Sequence, residues 1–86
     1  MAVTWDPQKA TANFKKHHVR FGDAEAVLFD SAALTLEDLT AQAERRCVSV
    51  GLDVLARILV VVYTYRDDYI RLISARPATP NESTAV

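Results

Sequence analysis

The stretch Ile58–Arg76, ILVVVYTYRDDYIRLISAR, decides the fold. Five apolar residues, Ile58 to Val62, lead into Tyr63, Thr64 and Tyr65. Arg66, Asp67 and Asp68 follow, and then a second apolar run from Tyr69 to Ile73. β-Branched and aromatic residues dominate both runs, and a polar pair separates them, which predicts a two-strand hairpin. Both runs are apolar at nearly every position, so the strands are expected to be central and covered on at least one face. Three arginines interrupt this region: Arg66 at the turn, Arg71 inside the second strand and Arg76 at its end. An arginine is rarely buried without a partner. Arg71 therefore either pairs with a carboxylate or opens onto a groove.

Working back from the hairpin, Gly51, Leu52 and Asp53 begin a turn, and Glu44 to Leu52 reads as the preceding strand. Alternation there sends Glu44, Arg46, Val48 and Val50 one way and Arg45, Cys47 and Ser49 the other. Residues 33–38 alternate weakly and are expected to form an edge strand. At the start of the chain, Val3, Thr4 and Trp5 read as a short strand. Asp6 and Pro7 then supply an N-cap acceptor and an N1 proline, which predicts a helix from Pro7 to about His17. Ala10, Asn13, Phe14 and His17 share one face, with Phe14 expected to anchor it in the core. Lys9 and Lys16 project from a neighbouring face. A second, short helix is expected from Asp23 to Phe29, with Ala24, Val27 and Leu28 inward and Asp23 and Glu25 favoured by the helix dipole. After Arg76, Pro77 and Pro80 limit any C-terminal helix to a short turn, for which Ser74 is a candidate cap. The order β-α-α-β-β-β-β predicts an α+β fold: two N-terminal helices packed on a mostly antiparallel sheet of about four strands.

Eighty-six residues are expected to make one domain, 1–86. Half are hydrophobic, as in a folded chain. Cys47 is the single cysteine, which excludes an intrachain disulfide framework and a multi-cysteine zinc site; it reads as a small core residue. No metal-ligand spacing, phosphate loop or nucleophile elbow is present, so no cofactor is expected. No apolar stretch is long enough to span a membrane and no leader is evident, so the expected compartment is the cytoplasm. The net charge of −1 argues against a strong polyanion binder, but its distribution is uneven. Lys9, Lys15, Lys16 and Arg20 lie against Asp6 in residues 1–20. Residues 21–44 carry six acids and no lysine or arginine, and residues 45–86 carry six arginines against four acids. Basic ends brought together by the fold would make a phosphate-binding face.

Two runs are similar to a known family. Trp5, Asp6, Pro7, Lys9, Ala10, Asn13, Lys16, His17, Val19 and Phe21 resemble the N-terminal signature of BrnT toxins. Phe29, Asp30, Glu44, Arg46 and Gly51 follow. Then Val61 to Thr64, Arg66, and the run from Ile70 to Arg76 (IRLISAR) resemble the family's closing motif. The likeness covers about residues 3–79. It implies a RelE-like fold and a ribonuclease toxin of a type II toxin–antitoxin system. It further implies neutralisation by a BrnA antitoxin, whose ribbon-helix-helix domain carries the complex to operator DNA. Three positions depart from the family pattern. Thr40 replaces a common histidine, Pro77 replaces a basic residue, and the tail from Pro80 to Val86 lacks the basic helix. They remove positive charge and one proton carrier. A catalytically silent module that only binds the antitoxin is therefore the alternative to an enzyme.

Metal-free RNA cleavage needs a base for the 2′-hydroxyl, an acid for the leaving oxygen and cations for the charge on the pentacovalent phosphorus. Arginine suits the last role because its planar fork matches phosphate. Arg66, Arg71 and Arg76 are the phosphate candidates, with Arg46 next. Each could instead sit in an ion pair with Glu44, Asp67, Asp68 or Asp30. Glu44 is the candidate base, or else a partner of Arg46. His17, an imidazole able to donate or accept a proton, is a candidate proton carrier, or else a structural histidine. Lys9 and Lys16 are candidates for the RNA backbone, and Tyr65 for stacking on a base.

Overall fold

The protein, described by a computed structural model over residues 2–38 and 46–80, is a mixed five-stranded sheet with helices on one face. The strands are β1 (Ala2–Thr4), β2 (Leu34–Asp38), β3 (Arg46–Leu52), β4 (Ile58–Arg66) and β5 (Tyr69–Pro77), in spatial order β1-β5-β4-β3-β2. The hairpin read from Ile58–Arg76 is β4–β5, at the centre of the sheet. The expected sheet of about four mostly antiparallel strands gains a fifth: β1 pairs parallel to β5, Val3 beside Ile70 and Thr4 beside Arg71. Three residues carry too little pattern to announce such a pairing; the free edge of β5 creates it. The strand pairs β2–β3, β3–β4 and β4–β5 are antiparallel.

Helix α1 (Pro7–His17) starts where expected. The Asp6 carboxylate accepts the Gln8 N–H at 2.8 Å, and Pro7 stands in the first turn. It ends at His18, whose N–H still reaches the Phe14 carbonyl at 2.8 Å and whose left-handed φ of 59° turns the chain out of the helix. The residue that anchors α1 is Asn13, not Phe14. Phe14 is 39% exposed, its ring covered on one side by Arg20 at 5.3 Å. Asn13 is buried, and its amide Nδ2 donates to the carbonyls of Val19 (3.1 Å) and Ala75 (2.8 Å). Its Oδ1 accepts the Ala75 N–H at 3.0 Å. β1 pairs with β5 only as far as Arg71, so a polar side chain takes over the open edge of β5.

The second helical segment begins two residues earlier than expected and divides. α2 covers Phe21–Ala24, and a 3₁₀ turn covers Glu25–Phe29. Phe21, Ala24 and Val27 enter the core with Val19, and meet Leu59, Val61 and Tyr63 from β4 and Ile70, Leu72 and Ala75 from β5. Trp5 meets Phe21 edge to face at 5.9 Å, and Cys47 packs against the same core. Ser74 lies inside β5, which continues to Pro77, so it caps no helix; residues 81–86 lie outside the described residues. No described helix is long and apolar enough to cross a membrane.

Two carboxylates brace the loops. Asp30 accepts the N–H groups of Leu52 and Ala32 (2.9 Å each), the first having the larger effect, and they hold its carboxyl below the usual range. Burial pushes the Asp53 carboxyl up, but the Arg57 guanidinium and the N–H groups of Arg57 and Leu55 outweigh it, so Asp53 also titrates below the usual range.

Candidate functional site

The face of the sheet away from the helices carries the arginines. Leu59, Val61 and Tyr63 of β4 point into the core, so Val60, Val62, Thr64 and Arg66 point the other way. Arg46 of β3 and Arg71 of β5 both stand in register with Thr64, and Thr4 of β1 stands beside Arg71. One row across four strands therefore reads Arg46, Thr64, Arg71, Thr4. Arg46 and Arg71 are two strands apart, about 10 Å between backbones. Thr64 is nearly inaccessible between them, at 2% exposure. The next row towards the hairpin turn pairs Arg66 with Tyr69, and Ala2 follows.

Arg76 joins this face through a defect in the ladder. Arg71 and Arg76 are five residues apart, and strict alternation would send them to opposite faces. The pairing jumps between Val62 opposite Ser74 and Tyr63 opposite Leu72, so Ile73 is an extra residue in β5. This bulge lets Leu72 and Ala75 both enter the core and returns Arg76 to the face of Arg71, opposite Val60. Arg76 also donates to the Pro77 carbonyl at 3.3 Å.

Arg71 takes the second of its two options. It is half-buried, makes no ion pair among the described residues, and lines a groove of about 680 Å³ with Ala2, Thr4, Trp5, Asp68 and Tyr69. Arg57 is occupied structurally. It grips Asp53 at 2.6 Å and 2.9 Å, donates to the His18 carbonyl at 3.2 Å and lies 3.9 Å from Asp23. Asp30, a suggested arginine partner, is held by backbone N–H groups instead.

The remaining sequence candidates stand apart from the four arginines. His17, Lys9 and Lys16 are on α1, which packs against β5 from the core side. No hydrogen bond or ion pair among the described residues joins them to Arg46, Arg66, Arg71 or Arg76. Tyr65 pairs with Ile70, which puts it on the core-side face, where it is 52% exposed and meets Tyr63 edge to face at 5.8 Å. Burial, with Tyr63 and Cys47 beside it, pushes its hydroxyl up. Glu44 and Thr40 lie outside the described residues. Among those described, no three His, Cys, Asp or Glu side chains gather as a metal site requires.

The aromatic on the arginine face is Tyr69, which sequence reasoning passed over. Its signal was parity: it lies two residues before Arg71 on the same strand. Thr4 and Thr64 carried no such signal, because their places beside Arg71 depend on register between strands.

Comparisons with known proteins agree with this architecture. The profile of one family, described as "Ribonuclease toxin, BrnT, of type II toxin-antitoxin system", matches residues 5–82. The crystal structure of the Brucella abortus ribonuclease toxin, BrnT, superposes with a TM-score of 0.71 at 26% sequence identity. The match covers 92% of this chain and 97% of that one. No curated protein matches the chain.

Proposed function

The chain belongs to the BrnT family of ribonuclease toxins of type II toxin–antitoxin systems, and on that premise we propose that it is itself an endoribonuclease cutting RNA through the 2′-hydroxyl without a metal. The observation that carries this reading is the convergence of Arg46, Arg66, Arg71 and Arg76 on one face of the sheet. In this reaction the 2′-oxygen attacks the adjacent phosphorus and loses its proton to a base. The bond to the 5′-oxygen breaks as an acid protonates that oxygen, leaving a 2′,3′-cyclic phosphate and a 5′-hydroxyl. Negative charge accumulates on the non-bridging oxygens, and permanently charged guanidinium groups stabilise it. Arg71 and Arg46, flanking the small Thr64, hold the phosphate between them. Arg66 and Arg76 extend the cationic surface along the strand direction. Glu44, two residues before Arg46, is the proposed base; His17, on the helix side of the sheet, stands away from this face and takes no part in the step. Lys9 and Lys16 meet the RNA backbone outside the cleavage site.

The partner is an antitoxin, of the BrnA ribbon-helix-helix type, which binds operator DNA on behalf of the complex in the cytoplasm. It covers the face of the sheet that carries the arginines. The arginines take its carboxylates, and the exposed Leu34 and Leu52 at the other end of the same face take its apolar residues.

The test is cleavage of a long single-stranded RNA in excess EDTA by wild type and by the Arg71→Ala, Arg76→Ala double variant, with folding checked by circular dichroism. Removing one well-placed donor costs about 10²–10³ in rate, so the folded double variant should be silent. Equal cleavage by both proteins would refute the site. No cleavage by either, with antitoxin binding intact, would leave the silent binding module.

A further inference from the structure

We propose that the groove beside Arg71 is a guanine-binding subsite, in which Tyr69 carries the base on its ring and the Asp68 carboxylate takes its N1–H and N2–H. The inference rests on the ribonuclease reading above and names the nucleotide which that site selects.

The groove is continuous with the arginine face, because Arg71 belongs to both. Tyr69 is half-buried, on the same face as Arg71 and two residues before it, so a base lying on its ring belongs to the nucleotide whose phosphate Arg71 holds. Asp68 borders the groove next to Tyr69, at the mouth of the hairpin turn. Three residues of extended strand, about 10 Å, separate it from Arg71, comparable to one nucleotide measured from phosphate to base edge. Among the described residues Asp68 makes no ion pair or hydrogen bond.

A carboxylate on an RNA-binding face repels the backbone unless it meets donors on a base. Its two oxygens only accept. Guanine alone among the standard bases offers two adjacent donors on its pairing edge, N1–H and N2–H. Adenine and cytosine place a lone pair beside their amino group, and uracil flanks its one N–H with two carbonyls. Each of these sets an acceptor against the carboxylate, which penalises the wrong base as well as favouring the right one. Thr4, in register with Arg71, adds a hydroxyl to the groove wall that can donate to guanine O6.

The experiment is fluorescence anisotropy with uncleavable 2′-O-methyl hexanucleotides. Each carries one guanine, inosine, adenine or cytosine in a uridine background, and binds wild type, Asp68→Asn or Tyr69→Leu, all checked by circular dichroism. Wild type should bind the guanine oligonucleotide about tenfold more tightly than the adenine or cytosine ones, with inosine, which lacks the N2 amino group, in between. Asp68→Asn should abolish the ranking, and Tyr69→Leu should weaken every oligonucleotide. Equal affinities in wild type, or a guanine preference that survives Asp68→Asn, would overturn the proposal. Cut-site mapping on a long RNA separates this from the ribonuclease reading. Guanine-selective binding without cleavage would remove the enzyme and keep the subsite; cleavage without regard to base would keep the enzyme and remove the subsite.

Discussion

Replacing Asn13 by alanine should be among the most damaging single changes available in α1. The wild-type amide makes three hydrogen bonds, at 2.8, 3.0 and 3.1 Å, in a site only 7% exposed. Truncation leaves the Ala75 N–H, the Ala75 carbonyl and the Val19 carbonyl without their partner. A buried polar group left unpaired costs about 1–3 kcal/mol. Water entering the space of the lost amide recovers part of this, and alanine's better helix propensity returns about 0.5 kcal/mol. The net expectation is a loss of about 3 kcal/mol. For a chain of this length that corresponds to a fall in Tm of about 15–20 °C. Urea titration followed by circular dichroism measures it. A loss under about 1 kcal/mol would refute the view that this side chain closes the open edge of β5. Asn13→Asp supplies an internal check. The carboxylate still accepts from Ala75 but faces two carbonyls, so the folded state favours its protonated form and its pKa rises on folding. Stability of this variant should therefore fall as pH rises from the ordinary carboxylate range towards neutrality.

Three further outcomes follow from the loops. Asp30 and Asp53 both titrate below the ordinary range when folded, so their contribution is present above the unfolded value and is lost as pH falls through the folded one. Asp53→Asn should cost about 2 kcal/mol at neutral pH by urea titration and should shrink the loss of stability on acidification. Gly51→Ala places a Cβ 2.9 Å from Ala33 Cβ and 3.0 Å from Asp30 Oδ2, so something must shift; a loss of about 2 kcal/mol is expected in the same assay. Ala56 holds a left-handed φ of 60° in the β3–β4 loop, where glycine fits without strain. Ala56→Gly should raise stability by about 0.5–1 kcal/mol, read as a higher Tm.

Local chemistry made much of the frame legible. Asp6 and Pro7 announced the start of α1 because capping acts within one turn, and the apolar runs around Asp67 and Asp68 announced the central hairpin. Phe14 and Asn13 show where such reasoning stops. Helical periodicity put both on the inward side, and hydrophobicity favoured the phenylalanine. The structure buries the asparagine because the edge of β5 leaves an N–H and a carbonyl that only a polar group can satisfy. Similarly, Tyr65 was the stacking candidate by residue type, but its pairing with Ile70 puts it on the core-side face, while alternation along β5 puts Tyr69 on the face of Arg71.

The sequence by itself determined the family, the α+β class and the central hairpin, since all of these rest on residue identity and short-range pattern. Which face each arginine occupies was decided only by tertiary structure. Alternation along IRLISAR separates Arg71 from Arg76. They share a face because Leu72 and Ala75 both bury against the helices, which forces Ile73 out of the ladder and shifts the parity of the rest of β5. The pairing of Arg46 and Arg71 about Thr64, and of Thr4 with Arg71, likewise exists only once β3, β4, β5 and β1 lie side by side. Register is a relation between strands, set by how the core fills, and no single segment contains it.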